Sequence, residues 1–248
     1  MADWPYKISM ESFRRAWPAL EGELLWHSVF ELHKDKMQIK NAHVAVANLE
    51  KIFTCTFRLA SSKGFQAMSL RDLGNETGIS MGGLYAYIGS KDDLASVISA
   101  VLSRNIDQVI GGVARHNLSP VQRLQAIIYG DIYMNEIMSS WYYFSFMESK
   151  GLPREKQQQA KELELNFESM LADTFKLGMA QGMFNCDDVE LLASNTTHMV
   201  QQWYLKRWKF KCRKTPTETY CRFVFGNVLQ SLNYQVPAVE TPRLQTLA

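Results

Sequence analysis

A chain of 248 residues with 46% hydrophobic and 12% aromatic residues can bury a substantial core, which excludes an intrinsically disordered protein. Its formal net charge of +2 is too small to indicate nucleic-acid binding, so any such function must be argued from local residues. Seven prolines and fourteen glycines, with long runs free of both, favour an all-α chain over a turn-rich β protein.

The sequence shows no targeting or membrane-spanning segment. The N-terminus lacks a positively charged segment followed by an apolar stretch, so no secretory signal is visible. No window reaches the roughly 18 consecutive apolar residues that a membrane helix needs. We therefore expect a cytoplasmic protein without a membrane partner.

Signals of enzyme chemistry are also missing from the sequence. The four cysteines lie far apart without a C-x-x-C pair, and the five histidines show no spacing suited to one metal ion. There is no Glu-x-x-His pair, no nucleotide-binding loop and no nucleophile elbow. The sequence predicts no metal, no cofactor and no enzyme activity.

Residues 1–40 form a predicted helical extension, amphipathic and broken at Pro18. Packing against the core is the simpler role for this extension. Alternatively, Arg14 and Arg15 extend DNA contact into a minor groove.

Residues 41–60 have apolar side chains at helical spacing, which predicts the first helix of a domain. Ser69, with Asp72 three residues later, is a predicted N-cap for a short helix that ends near Gly78. Ser80 can cap a second short helix. Two short helices joined by a tight turn with glycine are typical of a helix-turn-helix.

A long helix is predicted from Ser90 to about residue 115, where it connects two parts of the protein. The capping patterns "SPVQ" at 119 and "TPTE" at 215 open later helices. The helices predicted after the connector cover 120–137, 140–149, 153–181, 187–210 and 215–233. The tail 237–248 is predicted to be irregular.

The segment "MSLRDLGNETGISMGGLYAYIGSKDDLASVI" resembles the DNA-binding signature of the TetR family of bacterial transcription regulators. In that pattern Ser69 opens the second helix, Gly78-Ile79-Ser80 forms the turn, and Gly82 with Leu84-Tyr85-x-Tyr87 lies on the recognition helix. Ser90 and Lys91 match the start of the connecting helix. Departures from the pattern are Gly74, where alanine is usual, and Ile88, where phenylalanine is commoner.

The resemblance implies an all-α fold with a three-helix DNA-binding domain at 41–92 and a larger ligand-binding and dimerisation domain at 93–236. By matching positions we expect Arg71, Met81, Gly82 and Tyr85 to face bases, and only Arg71 can read guanine with two hydrogen bonds. Tyr87 and Lys91 are expected to meet phosphate, as is Tyr85 if it does not face a base. The predicted DNA-binding set is Ser69, Arg71, Ser80, Met81, Gly82, Gly83, Tyr85, Tyr87 and Lys91.

The glycines suit this role, because residues without Cβ let the recognition helix press against DNA. The resemblance further implies a homodimer that reads a double-stranded, pseudo-palindromic operator. A small effector would change the spacing of the two recognition helices. The last two helices would form the dimer interface through Val189, Leu192, Val200, Trp203, Phe223, Val224, Val228 and Leu232.

Candidate effector-binding residues lie in two later segments. The aromatic stretch 139–151 supplies either core contacts or the wall of an apolar pocket, with Trp141, Tyr142, Phe144 and Met147 as candidates. His198, Gln202 and Trp203 lie on a helix predicted to be largely buried, where a polar group needs a partner. That partner is the backbone, the other subunit or a ligand.

The run "KRWKFKCRK" at 206–214 has six cations and no acid. Such runs are commonly solvated helix ends. A sharper hypothesis is that Lys209, Lys211 and Arg213 dock the phosphates of an acyl-CoA effector.

The favoured function is thus a ligand-responsive transcriptional regulator, most simply a repressor. The alternative is a helical adaptor or small-molecule sensor that does not bind DNA sequence-specifically.

Overall fold

A computed structural model describes residues 3–234, which form twelve α-helices and no β-strand. This confirms the all-α class. The helices are α1 (Met10–Ala16), α2 (Gly22–His33), α3 (Ala42–Lys63), α4 (Leu70–Thr77), α5 (Met81–Tyr85), α6 (Lys91–Val109), α7 (Pro120–Ile137), α8 (Ser139–Glu148), α9 (Arg154–Ala180), α10 (Val189–Leu205), α11 (Arg207–Cys212) and α12 (Thr217–Ser231). Short 3-10 turns cover Pro18–Leu20, Gly111–Arg115 and Ser149–Gly151.

Helices α3, α4 and α5 form a compact head at the start of α6. Asn41 begins α3, because its side chain accepts hydrogen bonds from the N–H groups of His43 and Val44 (3.1 and 3.3 Å). Gly64 ends the helix with a φ of +83°, a conformation that favours glycine. The apolar face of α3 then packs against α4.

The second part of the molecule is built around α7. A capping box of Ser119 and Gln122 opens this helix, with Pro120 at its first position. Helices α9, α10 and α12 pack around α7, so it is buried along most of its length. The buried residues of α7 are therefore central to the second part, within a hydrophobic core that is continuous with that of the head.

The N-terminal extension contacts both parts. Helix α2 packs against α3, and the backbone N–H of Gln38 donates to the carbonyl of Ala86 at the end of α5 (2.9 Å). Helix α1 packs against α7, and the N–H of Met10 donates to Glu218 of α12 (3.1 Å). Because α1 lies on the second part, Arg14 and Arg15 are placed away from the head, which gives no support to the minor-groove alternative.

Three aromatic rings from different helices meet where the two parts join. Phe53 of α3 stacks on Trp141 of α8, with centroids 5.5 Å apart, and Trp26 of α2 lies 6.1 Å from Phe53 and 5.8 Å from Trp141. All three rings are buried. We call Trp26, Phe53 and Trp141 the aromatic column.

Two predicted helices were too long. The predicted helix 187–210 begins after its N-cap Asp188 and ends at Lys206, whose φ of −117° and ψ of 31° are not helical. The break lets Phe210 of α11 pack on Trp203 and Tyr220, with centroids 5.0 and 4.7 Å away. The connector α6 ends at Val109 rather than near 115, because the glycine pair that follows is unfavourable in a helix. The predicted irregular tail 237–248 lies outside the described residues.

We predict that Trp26→Ala lowers the free energy of unfolding by about 3–5 kcal/mol, the usual cost of emptying a buried tryptophan site. Chemical denaturation followed by circular dichroism measures this. The matched control is Trp208→Ala, since Trp208 is 65% exposed and its loss should change stability by no more than about 0.5 kcal/mol. Equal effects of both substitutions would contradict a structural role for the aromatic column.

Candidate DNA-binding surface and ligand cavity

The turn between α4 and α5 is set by caps that the sequence specifies. Ser69 and Asp72 form a capping box at the start of α4, with the N–H of Asp72 donating to Ser69 Oγ (3.1 Å). Gly78 ends α4 in the left-handed conformation, at φ 69° and ψ 11°. Ser80 then caps α5 by accepting from the N–H of Gly83 (3.1 Å). Two consecutive helices are thereby held at a fixed angle.

The exposed side of this helix pair contains most of the predicted DNA-binding residues. Ser69, Arg71, Ser80, Gly82 and Tyr85 are exposed, and Tyr85 exposes 48% of its surface. The remaining two residues of this side, Met81 and Gly83, are half-buried. The structure therefore brings these seven residues to one surface.

The two adjacent glycines have different surroundings. A Cβ at Gly82 would meet nothing within 4 Å, so this position opens outward. A Cβ at Gly83 would come within 2.9 Å of Ile79 Cγ2 and 3.2 Å of Ser80 Oγ. Gly83 thus satisfies the packing of the turn, whereas nothing inside the protein requires glycine at position 82.

The other two predicted DNA-binding residues face the interior. The Tyr87 ring is buried, and its hydroxyl accepts a hydrogen bond from Asn48 Nδ2 (2.8 Å), which leaves the hydroxyl proton able to donate. Lys91 Nζ donates to the carbonyls of Phe65, Gln66 and Met68 (3.1, 2.9 and 3.3 Å). These bonds use all three ammonium donors and fix the segment before α4 to the start of α6.

One acid close to Arg71 is neutralised by a cation that sequence reasoning missed. Lys63 Nζ lies 2.7 Å from Asp72 Oδ2. This contact, together with hydrogen bonds from Ser69, holds the pKa of Asp72 well below its usual range. The pairing offsets a negative charge that would otherwise repel phosphate.

A cavity of about 350 Å³ lies between α6, α7, α8, α9 and α10. Its apolar wall includes Leu102, Ile106, Phe146 and Phe167, whereas Asp131, Tyr142 and Tyr204 provide buried polar groups. The exposed residues Lys150 and Lys161 also border it. An apolar cavity with a few polar groups is typical of a small-molecule site.

Asp131 is the one acid in the apolar run "AIIYGDIYM" of α7, and it is only 6% exposed. Its two oxygens accept hydrogen bonds from Asn135 Nδ2 (2.7 Å) and from the Tyr142 hydroxyl (3.2 Å). Burial raises the pKa of Asp131 to about 7, and the two hydrogen bonds offset part of that shift. Sequence reasoning missed Asp131, although an isolated acid in such a run was an available signal.

Of the seven predicted effector-binding residues, only Tyr142 lines this cavity. Trp141 and Phe144 are core residues that border a second cavity of about 640 Å³ between α3, α8 and α11. Met147 is 49% exposed, and Trp203 is fully buried, donating from Nε1 to Glu136 (2.8 Å).

His198 and Gln202 are exposed, so the expectation that they are buried was wrong. Residues four apart share one face of a helix, so both side chains lie on the exposed outer face of α10. His198 Nδ1 lies 2.8 Å from the Ser194 carbonyl. Of the three alternatives, namely backbone, the other subunit or a ligand, the structure gives His198 a backbone partner.

The basic run 206–214 does not border the cavity that contains Asp131. Arg207 pairs with Glu136 (2.5 Å) and stacks on Trp203, so its charge is already matched. Lys209 lies over the Phe210 ring, while Lys211 and Arg213 are exposed. The structure thus gives no support to the hypothesis that this run docks effector phosphates.

The predicted dimer helices α10 and α12 pack against each other within the protomer. Five of the eight apolar residues expected at the interface are buried in the protomer's own core: Val200, Trp203, Val224, Val228 and Leu232. The exposed large apolar residues of these two helices are Leu191 and Phe223, at 64% and 61%.

No helix in residues 3–234 is long and apolar enough to cross a membrane. The same residues contain no group of three or more His, Cys, Asp or Glu side chains placed to hold a metal ion.

A helix-turn-helix with one exposed side, joined by one helix to a larger helical part, is typical of DNA-binding regulators. Comparison with known proteins agrees. A model of "Bacterial regulatory proteins, tetR family" matches residues 52–98. The HTH-type transcriptional regulator HbdR of Aromatoleum sp. (strain CIB) is 21% identical over 160 residues, which are 64% of this chain and 70% of HbdR.

Solved structures of the same family share the fold. A tetR-family regulatory protein from Rhodococcus RHA1 superimposes with a TM-score of 0.68 at 15% identity, covering 76% of this chain and 98% of that one. AibR in complex with isovaleryl coenzyme A and operator DNA gives a TM-score of 0.61 at 19% identity, covering 76% of this chain and 100% of AibR. Residues 52–98 therefore resemble the DNA-binding region of TetR-family regulators, and 76% of the chain shares the fold of solved members of that family.

We predict that Asp131 makes the protein less stable as the pH rises from about 4 to about 7. In that window the unfolded Asp131 is ionised, whereas the folded one still holds its proton, so the folded state binds more protons. Relative to Asp131→Asn, the free energy of unfolding should fall by up to about 4 kcal/mol across the window and then stay level. Urea denaturation at several pH values measures this.

The control for that measurement is Asp173→Asn, which changes an exposed carboxylate of α9 in the same way. Its stability curve should run parallel to that of the unmodified protein. A parallel curve for Asp131→Asn would show that Asp131 has an ordinary pKa.

Proposed function

We propose that this protein is a ligand-responsive transcriptional repressor that binds a pseudo-palindromic operator as a homodimer and is released by a small, largely apolar effector. The observation that carries the proposal is the continuity of the chain from the exposed recognition surface, through α6, to the cavity beside Asp131. Because α6 starts in the head and also lines the cavity, an occupant of the cavity contacts the helix that positions the head.

In the proposed complex the first residues of α5 enter the major groove. Arg71 is the side chain that can form two hydrogen bonds with a guanine, and Gly82 permits close approach of the helix. Ser80 and Tyr85 would contact phosphate or bases, and Met81 would offer an apolar contact. Ser69 would keep its capping role, because its hydroxyl already donates to Asp72 Oδ2 (2.7 Å). Tyr87 can donate its hydroxyl proton to a phosphate at the edge of the surface.

Lys91 has a different role in this proposal. Its ammonium group is saturated by three carbonyls, so we assign it to positioning the head rather than to direct contact with phosphate.

For the effector, we propose an acyl-CoA whose acyl group enters the cavity. The support is the apolar wall of the cavity and the structural similarity to AibR, which was solved with isovaleryl coenzyme A. A cavity of about 350 Å³ is too small for a whole coenzyme A thioester, so the nucleotide part would stay outside, near Lys150 and Lys161. In this proposal Lys150 and Lys161 contact the effector phosphates, and Lys209, Lys211 and Arg213 do not.

The proposed dimer uses the outer faces of α10 and α12. Leu191 and Phe223 expose large apolar surface there. A Cβ at Gly226 would meet nothing within 4 Å, so this position permits a close helix approach. His198 and Gln202 lie on the same outer face of α10. In the proposed dimer, the side chains of His198 and Gln202 would contact the other subunit.

DNA recognition is tested first by selecting genomic fragments with the purified protein and titrating the selected duplex by fluorescence anisotropy. We expect binding at least about 10³-fold tighter than to a scrambled duplex. Arg71→Ala should cost about 1–3 kcal/mol of that affinity, and Gly82→Ala should weaken binding without lowering the melting temperature. Arg115→Ala, at the far end of the connector, is the matched control and should change little.

The titration at two salt concentrations separates the alternatives. Equal, strongly salt-dependent affinity for both duplexes would mean phosphate attraction without sequence reading. No binding to either duplex, with and without candidate effectors, would favour the adaptor function instead.

We predict that Phe223→Asp converts a dimer into a monomer, because the interface would have to bury an unpaired carboxylate. Light scattering after size-exclusion chromatography measures the mass. Leu165→Asp is the control, since Leu165 is 59% exposed on α9, away from the proposed interface. A dimeric Phe223→Asp variant would place the interface elsewhere.

A further inference from the structure

At the polar end of the cavity, the Asp131 carboxylate has unused capacity to accept hydrogen bonds. Asp131 offers two carboxylate oxygens, each with one observed donor and room for another. Behind Asp131, outside the cavity lining, the Asn135 side chain is fully buried, and its Oδ1 has no hydrogen-bond partner among the described residues. No cation pairs with Asp131 in that part of the chain.

Buried polar atoms in native proteins normally have partners, and those without one call for an explanation. The amide of Asn135 and the hydroxyl of Tyr142 each donate one hydrogen bond to Asp131, one to each carboxylate oxygen. An incoming donor would therefore find a remaining acceptor site on Asp131, whereas an incoming acceptor would gain no hydrogen bond from the carboxylate.

The cavity has a negative group at its buried end and positive groups at its exposed border. Asp131 lies at the buried end, while Lys150 and Lys161 are exposed. Glu164 lines the wall as well. A carboxylate at the buried end would meet Asp131 at close range, and an ammonium there would have to lose its hydration.

We propose that the part of the effector that enters this cavity is an apolar group bearing a hydroxyl, and that Asp131 accepts the hydrogen bond of that hydroxyl. This inference rests on the proposed function, because it assumes that the cavity is the effector site. It adds a selection rule: effectors with a neutral donor at the buried end are accepted, and those ending in a carboxylate or a plain ether are rejected.

The test compares three probes of nearly equal size: 1-hexanol, its isomer methyl pentyl ether, and hexylamine as the ammonium ion. Binding is followed by the NMR signal of the Ile106 methyl group, which lies on the cavity wall. At pH 8, above the raised pKa of Asp131 of about 7, we expect 1-hexanol to bind at least about tenfold more tightly than the ether, the usual effect of a hydrogen bond to a charged group. Hexylamine should bind more weakly than 1-hexanol.

Two variants test whether the preference for 1-hexanol depends on Asp131. Asp131→Asn replaces one carboxylate oxygen by a donor, so the preference for 1-hexanol over the ether should shrink to about threefold or less. The exposed variant Asp173→Asn should keep the full preference. Melting temperatures of both variants establish that each is folded.

The outcomes separate this inference from the function on which it rests. Binding of 1-hexanol and the ether with equal affinity, tighter binding of hexylamine, or a preference that survives in folded Asp131→Asn would overturn the inference and leave the cavity as a ligand site. If none of the three probes shifted the Ile106 signal, the cavity itself would fail as an effector site, and the inference with it.

Discussion

The packing of Trp26, Phe53 and Trp141 is the contact on which the arrangement of the two parts depends. Each ring comes from a different region: the N-terminal extension, the first helix of the head, and a helix of the larger domain. Aromatic rings bury large apolar areas and prefer defined relative angles, so this contact fixes orientation as well as adding stability. The extension thereby becomes part of the core between head and larger domain, in addition to its bond from Gln38 to Ala86.

Local signals in the sequence predicted the helix-turn-helix well, because caps act over three or four residues. Ser69 with Asp72, Ser80, and Ser90 all cap helices as their positions in the sequence indicate. The exposed positions of Arg71 and Tyr85 follow from the same short pattern. Lys91 was different, since the carbonyls that bind it lie 23 to 26 residues away along the chain, and sequence spacing does not reveal them.

The residues that line the cavity could not be chosen from the sequence for a related reason. Which face of α10 is buried depends on where α7 and α9 pack, so Thr197 borders the cavity while its neighbour His198 faces outward. The aromatic stretch of α8 posed the same problem, because Trp141 and Phe144 turn towards the head and Tyr142 turns towards Asp131. A buried acid costs stability in any fold, which marks Asp131 beside the cavity as a candidate functional group.

The three hydrogen bonds from Lys91 connect the start of α6 to the head, so the two would move together. Because the first residue of α6 is hydrogen-bonded to the segment that precedes α4, a tilt of α6 would also tilt the head. A helix of 19 residues is about 28 Å long. Tilting such a rod by about 10° around its distal end carries the attached head through about 5 Å, roughly the rise of one helical turn. A small adjustment near the pivot is therefore magnified at the far tip, as far as the packing of the aromatic column lets the head move.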